Sequence, residues 1–155
     1  MAVIDGTDLI LGRMAAIVAK RALLGEKIDI INCENIIIAG DKKSVLEAYK
    51  IKAKRGCPLK GPFFQKMPDR FTRRAIRGML PYKKEKGKNA FKRIMCYLGA
   101  PDEFKENKPE SPEAAKITKG KILKYTTVGE LCKNLKWIIY SIKQEREKEQ
   151  LQKQQ

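Results

Sequence analysis

Four arginines in the middle of the chain are spaced to share one face of a helix; they are Arg70, Arg73, Arg74 and Arg77. At about 100° per residue they span about 100° of arc. No glutamate is interleaved with them at helical spacing, so their like charges cost stability unless a partner supplies negative charge. A guanidinium group binds phosphate through two parallel hydrogen bonds, which favours arginine over lysine for that task. This arginine face therefore predicts phosphate binding, against the alternative of an ordinary solvated helix surface.

The arginine face lies within a basic block, residues 52–93, that holds fifteen basic and two acidic residues. The 155-residue chain carries 34 basic and 18 acidic residues, a net charge of +16, whereas residues 1–50 hold seven of each. A neutral half beside a strongly positive one is typical of a protein that docks on a polyanion, so we predict nucleic acid as the ligand. The candidate RNA-binding residues are the basic side chains of this block: Lys54, Arg55, Lys60, Lys66, Arg70, Arg73, Arg74, Arg77, Lys83, Lys84, Lys86, Lys88, Lys92 and Arg93.

Aromatic residues are interleaved with these charges. Phe63 and Phe64 lie in an extended segment flanked by glycine and proline, and Tyr82 stands between a proline and a lysine. Aromatic rings in such positions can stack on unpaired RNA bases. We therefore predict Phe63, Phe64 and Tyr82 as the stacking candidates. The other aromatic positions near the block fit core packing better; they are Phe71, Phe91 and Tyr97.

The residues that most enzymes and metal sites need are missing from the sequence. It contains no histidine, so the commonest metal ligand and the side chain with an ordinary pKa near neutrality are both absent. The cysteines form no CxxC pair, and their apolar surroundings predict small buried thiols at Cys33, Cys57, Cys96 and Cys132. Gly12 stands at a helix entrance without the other glycines of a phosphate loop. We therefore predict a non-enzymatic protein with no catalytic residues, no metal and no cofactor.

Hydrophobic periodicity predicts the elements that must hold the arginine face in place. Residues 2–5 and 27–33 are strand-like, and the apolar residues between them have helical spacing: Leu11, Met14, Ala15, Val18 and Ala22. Residues 35–39 predict another strand, and a further helix opens at Asp41. Strand, helix and strand within about thirty residues imply a parallel pair, so the first third is predicted to be an α/β core. Its isoleucine-rich strands are typical of strands covered on both faces.

The arginine face itself is predicted on a helix that begins at Pro68 and ends at Leu80-Pro81. Its apolar side would carry Phe71, Ala75 and Met79. A basic loop over residues 82–88 is expected next, followed by a short helix through Phe91 and a strand over 94–98. This order places the basic loop directly beside the arginine face.

The last part of the chain predicts one more helix and a polar tail. Thr127 and Glu130 have the spacing of a capping box, and an apolar helical stripe follows: Val128, Leu131, Cys132 and Leu135. We predict a single α/β domain over residues 1–142 and a polar helical or frayed tail over 143–155. No signal peptide and no apolar run of about 20 residues is present, so a cytosolic protein is expected.

Three separated strings occur in the order in which one known family has them. They are Ile4-Asp5-Gly6 with Leu11 to Ala15, then Arg74 to Pro81 with Lys83, Lys84 and Gly87, then Lys92 to Ile94 with Tyr97 to Pro101. Over residues 2–104 the chain resembles the large-subunit ribosomal protein thirteen family, in its archaeal or eukaryotic type. The resemblance implies a three-layer α/β/α fold with a four-stranded parallel sheet, together with basic extended loops and a C-terminal helix.

The resemblance also implies a structural role on large-subunit ribosomal RNA, with a place early in subunit assembly. The expected partners are then large-subunit rRNA and neighbouring large-subunit ribosomal proteins, in the cytoplasm, with no membrane and no small-molecule substrate. Two alternatives share part of the charge pattern: an extra-ribosomal regulatory RNA-binding module, and an RNA-processing enzyme built on a βαβ unit.

Overall fold

The computed structural model describes residues 2–57, 59–104, 109–117 and 124–135 of the chain. Its strands are β1 (Ala2–Asp5), β2 (Ile28–Ile31), β3 (Ile37–Ala39), β4 (Ile94–Cys96) and β5 (Tyr125–Thr127). Its helices are α1 (Leu11–Leu23), α2 (Lys42–Lys54), α3 (Pro68–Met79), α4 (Glu85–Lys92) and α5 (Val128–Asn134). Single 3₁₀ turns occur at Cys33–Asn35, Asp102–Phe104 and Glu113–Ala115. The mixed α/β class predicted from the sequence is confirmed.

The parallel sheet has the strand order β1-β2-β4, with Ile30 of β2 opposite both Ile4 and Cys96. The prediction of four parallel strands is wrong, since the sheet in the described part of the chain has three. Strand β3 instead pairs antiparallel with β5, with Ile38 opposite Thr126. The physical reason is the short connection from β2, because a parallel neighbour needs a crossover of about a dozen residues or more. Asn32 turns the chain out of the sheet with a positive φ of 54°.

The main core lies between the sheet and helices α1 and α3. The predicted apolar stripe of α1 is buried along its whole length, from Leu11 to Ala22. Against it lie Ile4, Ile28 and Ile30 of the sheet, all at 0 % exposure. A smaller cluster of Val3, Ile31 and Phe104, with Tyr97 packed against it, forms a second group. All four residues of β2 are buried, as expected for a central strand covered on both faces.

Strand β2 carries one residue that works against this burial. Asp29 is 1 % exposed, and neither of its carboxylate oxygens has a hydrogen-bond partner in the described structure. Burial raises the pKa of Asp29, and the nearby charge of Lys27 only partly offsets this. A buried carboxyl without partners destabilises the folded state.

Helix ends follow the local sequence signals. Gly25 follows α1 at φ 109°, a positive φ that favours glycine just past a helix end. At α5, the Thr127 hydroxyl accepts a hydrogen bond of 3.2 Å from the backbone N–H of Glu130, so the predicted N-cap is confirmed. The predicted stripe of α5 is buried from Val128 to Leu135.

The cysteines do not share one environment. Cys33 and Cys132 are buried, and Cys96 is partly buried. The prediction of a buried thiol is wrong for Cys57, which is exposed. Cys57 and Gly61 exchange backbone hydrogen bonds of 3.1 and 2.8 Å, which close a tight loop away from the core.

Residues 137–142, at the end of the predicted domain, and the predicted tail over 143–155 lie outside the described residues, so the predicted domain boundary at 142 stays a prediction. Within the described ranges, no helix has both the length and the apolar character needed to cross a membrane.

Candidate nucleic-acid interface

Helix α3 presents the arginine face because its other side is anchored in the core. Pro68 occupies the first turn and is buried, and Phe71, Thr72 and Ile76 are buried behind it. Of the predicted apolar side, Phe71 is buried and Ala75 partly buried, but Met79 is 45 % exposed. The expectation for Met79 is wrong because the helix ends there and Leu80, 6 % exposed, takes the core position instead.

The four side chains of the arginine face line one cleft of about 450 Å³. The rest of this arginine cleft is formed by Pro62, Phe63, Gln65 and Phe91. The helical spacing thus brings the arginines together as the sequence predicted. Pro62 and Gln65 were not among the predicted residues. No sequence signal marks them, because their place in the cleft depends on how segment 62–65 packs against α3.

Three of the arginines lie on aromatic rings. The guanidinium carbon of Arg73 is 4.4 Å from the Phe91 ring centre, that of Arg74 is 4.9 Å from Phe64, and that of Arg77 is 5.1 Å from Tyr82. Each contact of this kind is worth about 0.5–1 kcal/mol at an exposed site. The guanidinium groups are therefore held in place before any ligand arrives.

Backbone carbonyls fix two of them further. Arg73 donates from Nη2 to the carbonyl of Phe91 at 3.5 Å, and Arg74 donates from Nη1 to the carbonyl of Phe63 at 3.4 Å. These bonds use one donor of the several on each guanidinium group. The buried Nε of Arg73 has no acceptor in the described structure. The arginine cleft thus contains more hydrogen-bond donors than acceptors.

Ion pairs occur elsewhere in the described protein. Arg21 pairs with Glu26 at 2.7 Å and with Glu110 at 2.8 Å, and Lys42 pairs with Glu130 at 3.2 Å. Among the described residues, no carboxylate lies within 4 Å of the arginine face. Its positive charge is therefore uncompensated within the described chain, which raises the local concentration of anions.

The three stacking candidates differ in how much of each ring is free. Phe63 is 67 % exposed. Phe64 turns inward, with its ring centre 6.0 Å from Tyr49 and 6.1 Å from Phe71. Tyr82 is 40 % exposed and meets Phe91 edge to face at 5.5 Å. Phe63 is therefore the candidate whose ring is most open to a ligand.

The remaining predicted residues surround the arginine cleft. Lys54, Arg55 and Lys66 line a neighbouring cleft of about 260 Å³. The other lysines of the prediction are exposed; they are Lys60, Lys83, Lys84, Lys86, Lys88 and Lys92. Arg93 is exposed, but its Nη1 donates to the Ala22 carbonyl at 3.3 Å, so this N–H group hydrogen-bonds the end of α1.

Two details of the basic block differ from the sequence reading. The predicted basic loop over 82–88 is wrong from Glu85 onward, where α4 begins. An acidic residue in the first turn favours a helix start at that position. Lys52, left out of the predicted contacts, lines a third cleft of about 290 Å³ with Arg74 and Gly78. The sequence signal that could have identified Lys52 was its place as the first residue of the basic block.

Helix α3 gathers four arginines into one cleft of a mixed α/β domain, and none of them forms an ion pair with a carboxylate of the described residues. Among the described residues, no group of three His, Cys, Asp or Glu side chains could hold a metal ion. These features fit a protein that binds a polyanion by charge and shape.

Comparison with known proteins identifies the family. The family described as ribosomal protein L13 matches residues 1–103. The large ribosomal subunit protein uL13 of Methanopyrus kandleri is 44% identical over 135 residues, covering 86% of this chain and 85% of that protein. The uL13 proteins of Methanococcoides burtonii and Methanocaldococcus jannaschii are 41% and 42% identical, each over 87% of this chain and 97% of their own length.

The chain belongs to the ribosomal protein L13 family. The family consists of structural components rather than enzymes, so the enzyme alternative is excluded. The relatives compared are archaeal, which agrees with the archaeal or eukaryotic type indicated by the sequence.

Proposed function

We propose that the chain is a structural constituent of the large ribosomal subunit that binds and stabilises large-subunit rRNA through the arginine cleft and the surrounding basic block. The observation that carries the proposal is the arginine face itself: four guanidinium groups in one cleft, three of them on rings, with no carboxylate within 4 Å in the described chain. The curated relatives are named as large ribosomal subunit proteins, which supports the same role.

Phosphate contacts would supply most of the affinity. Each basic side chain that neutralises an RNA phosphate releases condensed counterions, so binding weakens as salt rises. If roughly eight phosphates are neutralised, log affinity falls with log salt at a slope of about −6 to −7. A filter-binding titration against large-subunit rRNA measures this slope. A slope near −1 would contradict the proposal.

A charge-matched pair of variants tests where the contacts lie. Replacing the arginine face by glutamine at all four positions removes four charges from the cleft and lowers the slope by about 3. The control removes four exposed charges from outside the basic block by the same change to glutamine, at Arg13, Lys20, Lys43 and Lys133. The control is expected to keep most of the affinity. Equal losses in both variants would show that the cleft has no special part in binding.

The arginines also contribute to stability through their ring contacts, so the folded state of each variant must be checked by circular dichroism. Arg70 offers a cleaner single change, because no ring contact or hydrogen bond to it occurs in the described structure. Arg70→Gln is expected to reduce the salt slope by about 0.7–0.9 with no change in the unfolding midpoint.

Incorporation into the subunit is tested in cells of the source organism or a close relative. A tagged wild-type chain is expected to cofractionate with 50S or 60S particles and their early precursors in a sucrose gradient, and the four-glutamine variant to remain at the top. A wild-type chain found only in light fractions would favour the regulatory RNA-binding module. Its absence from early precursors would contradict early assembly.

A further inference from the structure

We propose that the arginine cleft takes one unpaired RNA nucleotide, with its base stacked on the Phe63 ring and its phosphate among the guanidinium groups of the arginine face. This inference rests on the proposed function and adds the form of RNA that the cleft recognises. A nucleotide turned out of an RNA helix would enter the cleft, whereas a fully paired duplex would only lie across the basic block.

Phe63 and its neighbour Phe64 differ in how much of each ring is exposed. Phe64 is anchored between the rings of Tyr49 and Phe71, whereas Phe63 is 67 % exposed and lines the arginine cleft. The Phe63 ring therefore forms part of the wall that a ligand in the arginine cleft would contact, with most of its surface free for stacking.

The backbone that carries Phe63 is held by hydrogen bonds and packing on both sides. The Phe63 carbonyl accepts from Arg74 at 3.4 Å, and the preceding loop is closed by the paired hydrogen bonds between Cys57 and Gly61. Phe64, the next residue in the chain, packs against Tyr49, so the backbone is held on both sides of Phe63. Because this backbone is already held, little backbone entropy is lost when a base stacks on the Phe63 ring.

The arginine cleft has the size and the polar groups that one nucleotide needs. A volume of about 450 Å³ lies within the range of about 300–1,000 Å³ typical of pockets for small molecules, and a duplex cannot enter it. The bases of a duplex stack on one another, so only an unpaired base offers a free face to Phe63. The partly buried amide of Gln65, at the same wall, has the donor and acceptor needed to bond to a base edge.

The experiment compares two RNA probes on the full chain. One is a 20-base-pair RNA duplex with a single unpaired 2-aminopurine nucleotide at its centre, and the other is the same duplex without it. The unpaired nucleotide is expected to raise affinity about 5- to 150-fold, the range given by stacking of one base on one ring. Stacking on Phe63 is also expected to quench the 2-aminopurine fluorescence.

Variants at position 63 test whether the base stacks on the Phe63 ring. Phe63→Ala and Phe63→Leu are expected to abolish the preference for the unpaired nucleotide, while the salt slope stays as in the wild type. Phe63→Trp is expected to keep the preference, because it retains a π-face. The matched control is Tyr125→Ala, which removes a 50 % exposed aromatic ring from β5 and is expected to change neither quantity.

Four results would overturn the inference. Equal affinity of the wild type for both probes, with a steep salt slope, would leave the proposed function standing and refute the nucleotide site. Preference retained in both Phe63→Ala and Phe63→Leu would place the site elsewhere. Displacement of the RNA by micromolar adenosine monophosphate would assign the cleft to a free nucleotide, since a mononucleotide lacking the flanking phosphates is expected to compete only at millimolar concentration. A shallow salt slope with both probes would refute the proposed function as well.

Discussion

The change from glycine to alanine is expected to have opposite effects on stability at Gly87 and at Gly78. Gly87 is buried in the first half of α4. A Cβ atom there would lie 2.2 Å from the carbonyl oxygen and 2.4 Å from the carbonyl carbon of Pro81, and 2.9 Å from the nitrogen of Tyr82. All three are backbone atoms, so α4 and the turn after α3 would have to move apart.

Two opposing contributions set the change in the free energy of unfolding expected for Gly87→Ala. Overpacking typically costs about 1–3 kcal/mol, and contacts with backbone rather than with flexible side-chain ends favour the upper part of that range. Alanine returns about 1 kcal/mol through its higher helix propensity. The net result expected for Gly87→Ala is therefore a loss of about 2 kcal/mol in the free energy of unfolding.

Gly78 provides the opposite case in the neighbouring helix. It is exposed within α3, and no atom of the described protein lies within 4 Å of the position its Cβ would take, other than its own neighbours and helix backbone. Only the propensity term remains, so Gly78→Ala is expected to raise the free energy of unfolding by about 0.5–1 kcal/mol.

Thermal and urea unfolding followed by circular dichroism measure both changes. With about 2–4 °C per kcal/mol for a chain of this size, Gly87→Ala is expected to lower the unfolding midpoint by about 4–8 °C and Gly78→Ala to raise it by about 1–4 °C. Lys88→Ala, an exposed change in the same helix, serves as the control for α4. A Gly87→Ala protein as stable as the wild type would refute the contact between α4 and Pro81 as the reason for this glycine.

Three further changes test other parts of the structure. Asp29→Val is expected to stabilise the fold by about 1–3 kcal/mol at pH 7.5, because it removes a buried carboxyl without partners. Burial raises the folded-state pKa of Asp29 above 3.8, so this gain should shrink in urea titrations as the pH falls toward 4 and the wild-type carboxyl becomes protonated. Cys57 is exposed, whereas burial raises the pKa of Cys132 to about 12; a thiol reagent should therefore label Cys57 first in the native protein, and Cys57→Ser should remove that fast phase. Thr127→Ala should cost about 1 kcal/mol in urea unfolding and Thr127→Asn much less, since asparagine also caps α5.

Elements fixed by local periodicity were predictable. The stripe of α1 and the cap at Thr127 depend on residues three or four apart, and the start of α3 depends on the proline at its first turn; the structure confirms all three. The partner of β3 was not predictable in the same way. Its neighbour β5 lies almost ninety residues further along the chain, with Ile38 opposite Thr126, and neither strand carries a local signal for the other. Only the short link between β2 and β3 excluded the parallel arrangement.

In the candidate site too, local spacing was predictable and tertiary packing was not. One helix supplies the arginine face, so its spacing alone placed the four side chains together. The opposite wall of the cleft comes from segment 62–65 and from Phe91, and its position depends on tertiary packing. The sequence placed Phe63 and Phe64 in one extended segment and predicted both as stacking candidates. It could not say which ring faces the core, because Tyr49 and Phe71, which hold Phe64, come from two different helices.

If the arginine face binds phosphate as proposed, its ring contacts give a physical reason for arginine rather than lysine there. Lysine would supply the same charge and nearly the same counterion release, so charge alone does not require guanidinium groups. A long cationic side chain loses about 2 kcal/mol of rotamer entropy when it is fixed on a phosphate. Arg73, Arg74 and Arg77 are already held on rings in the structure, so part of that loss is met during folding rather than on binding. Phe64 and Phe91 also pack against the core. The stability of the fold and the positions of the guanidinium groups that lie on these rings therefore depend on the same side chains.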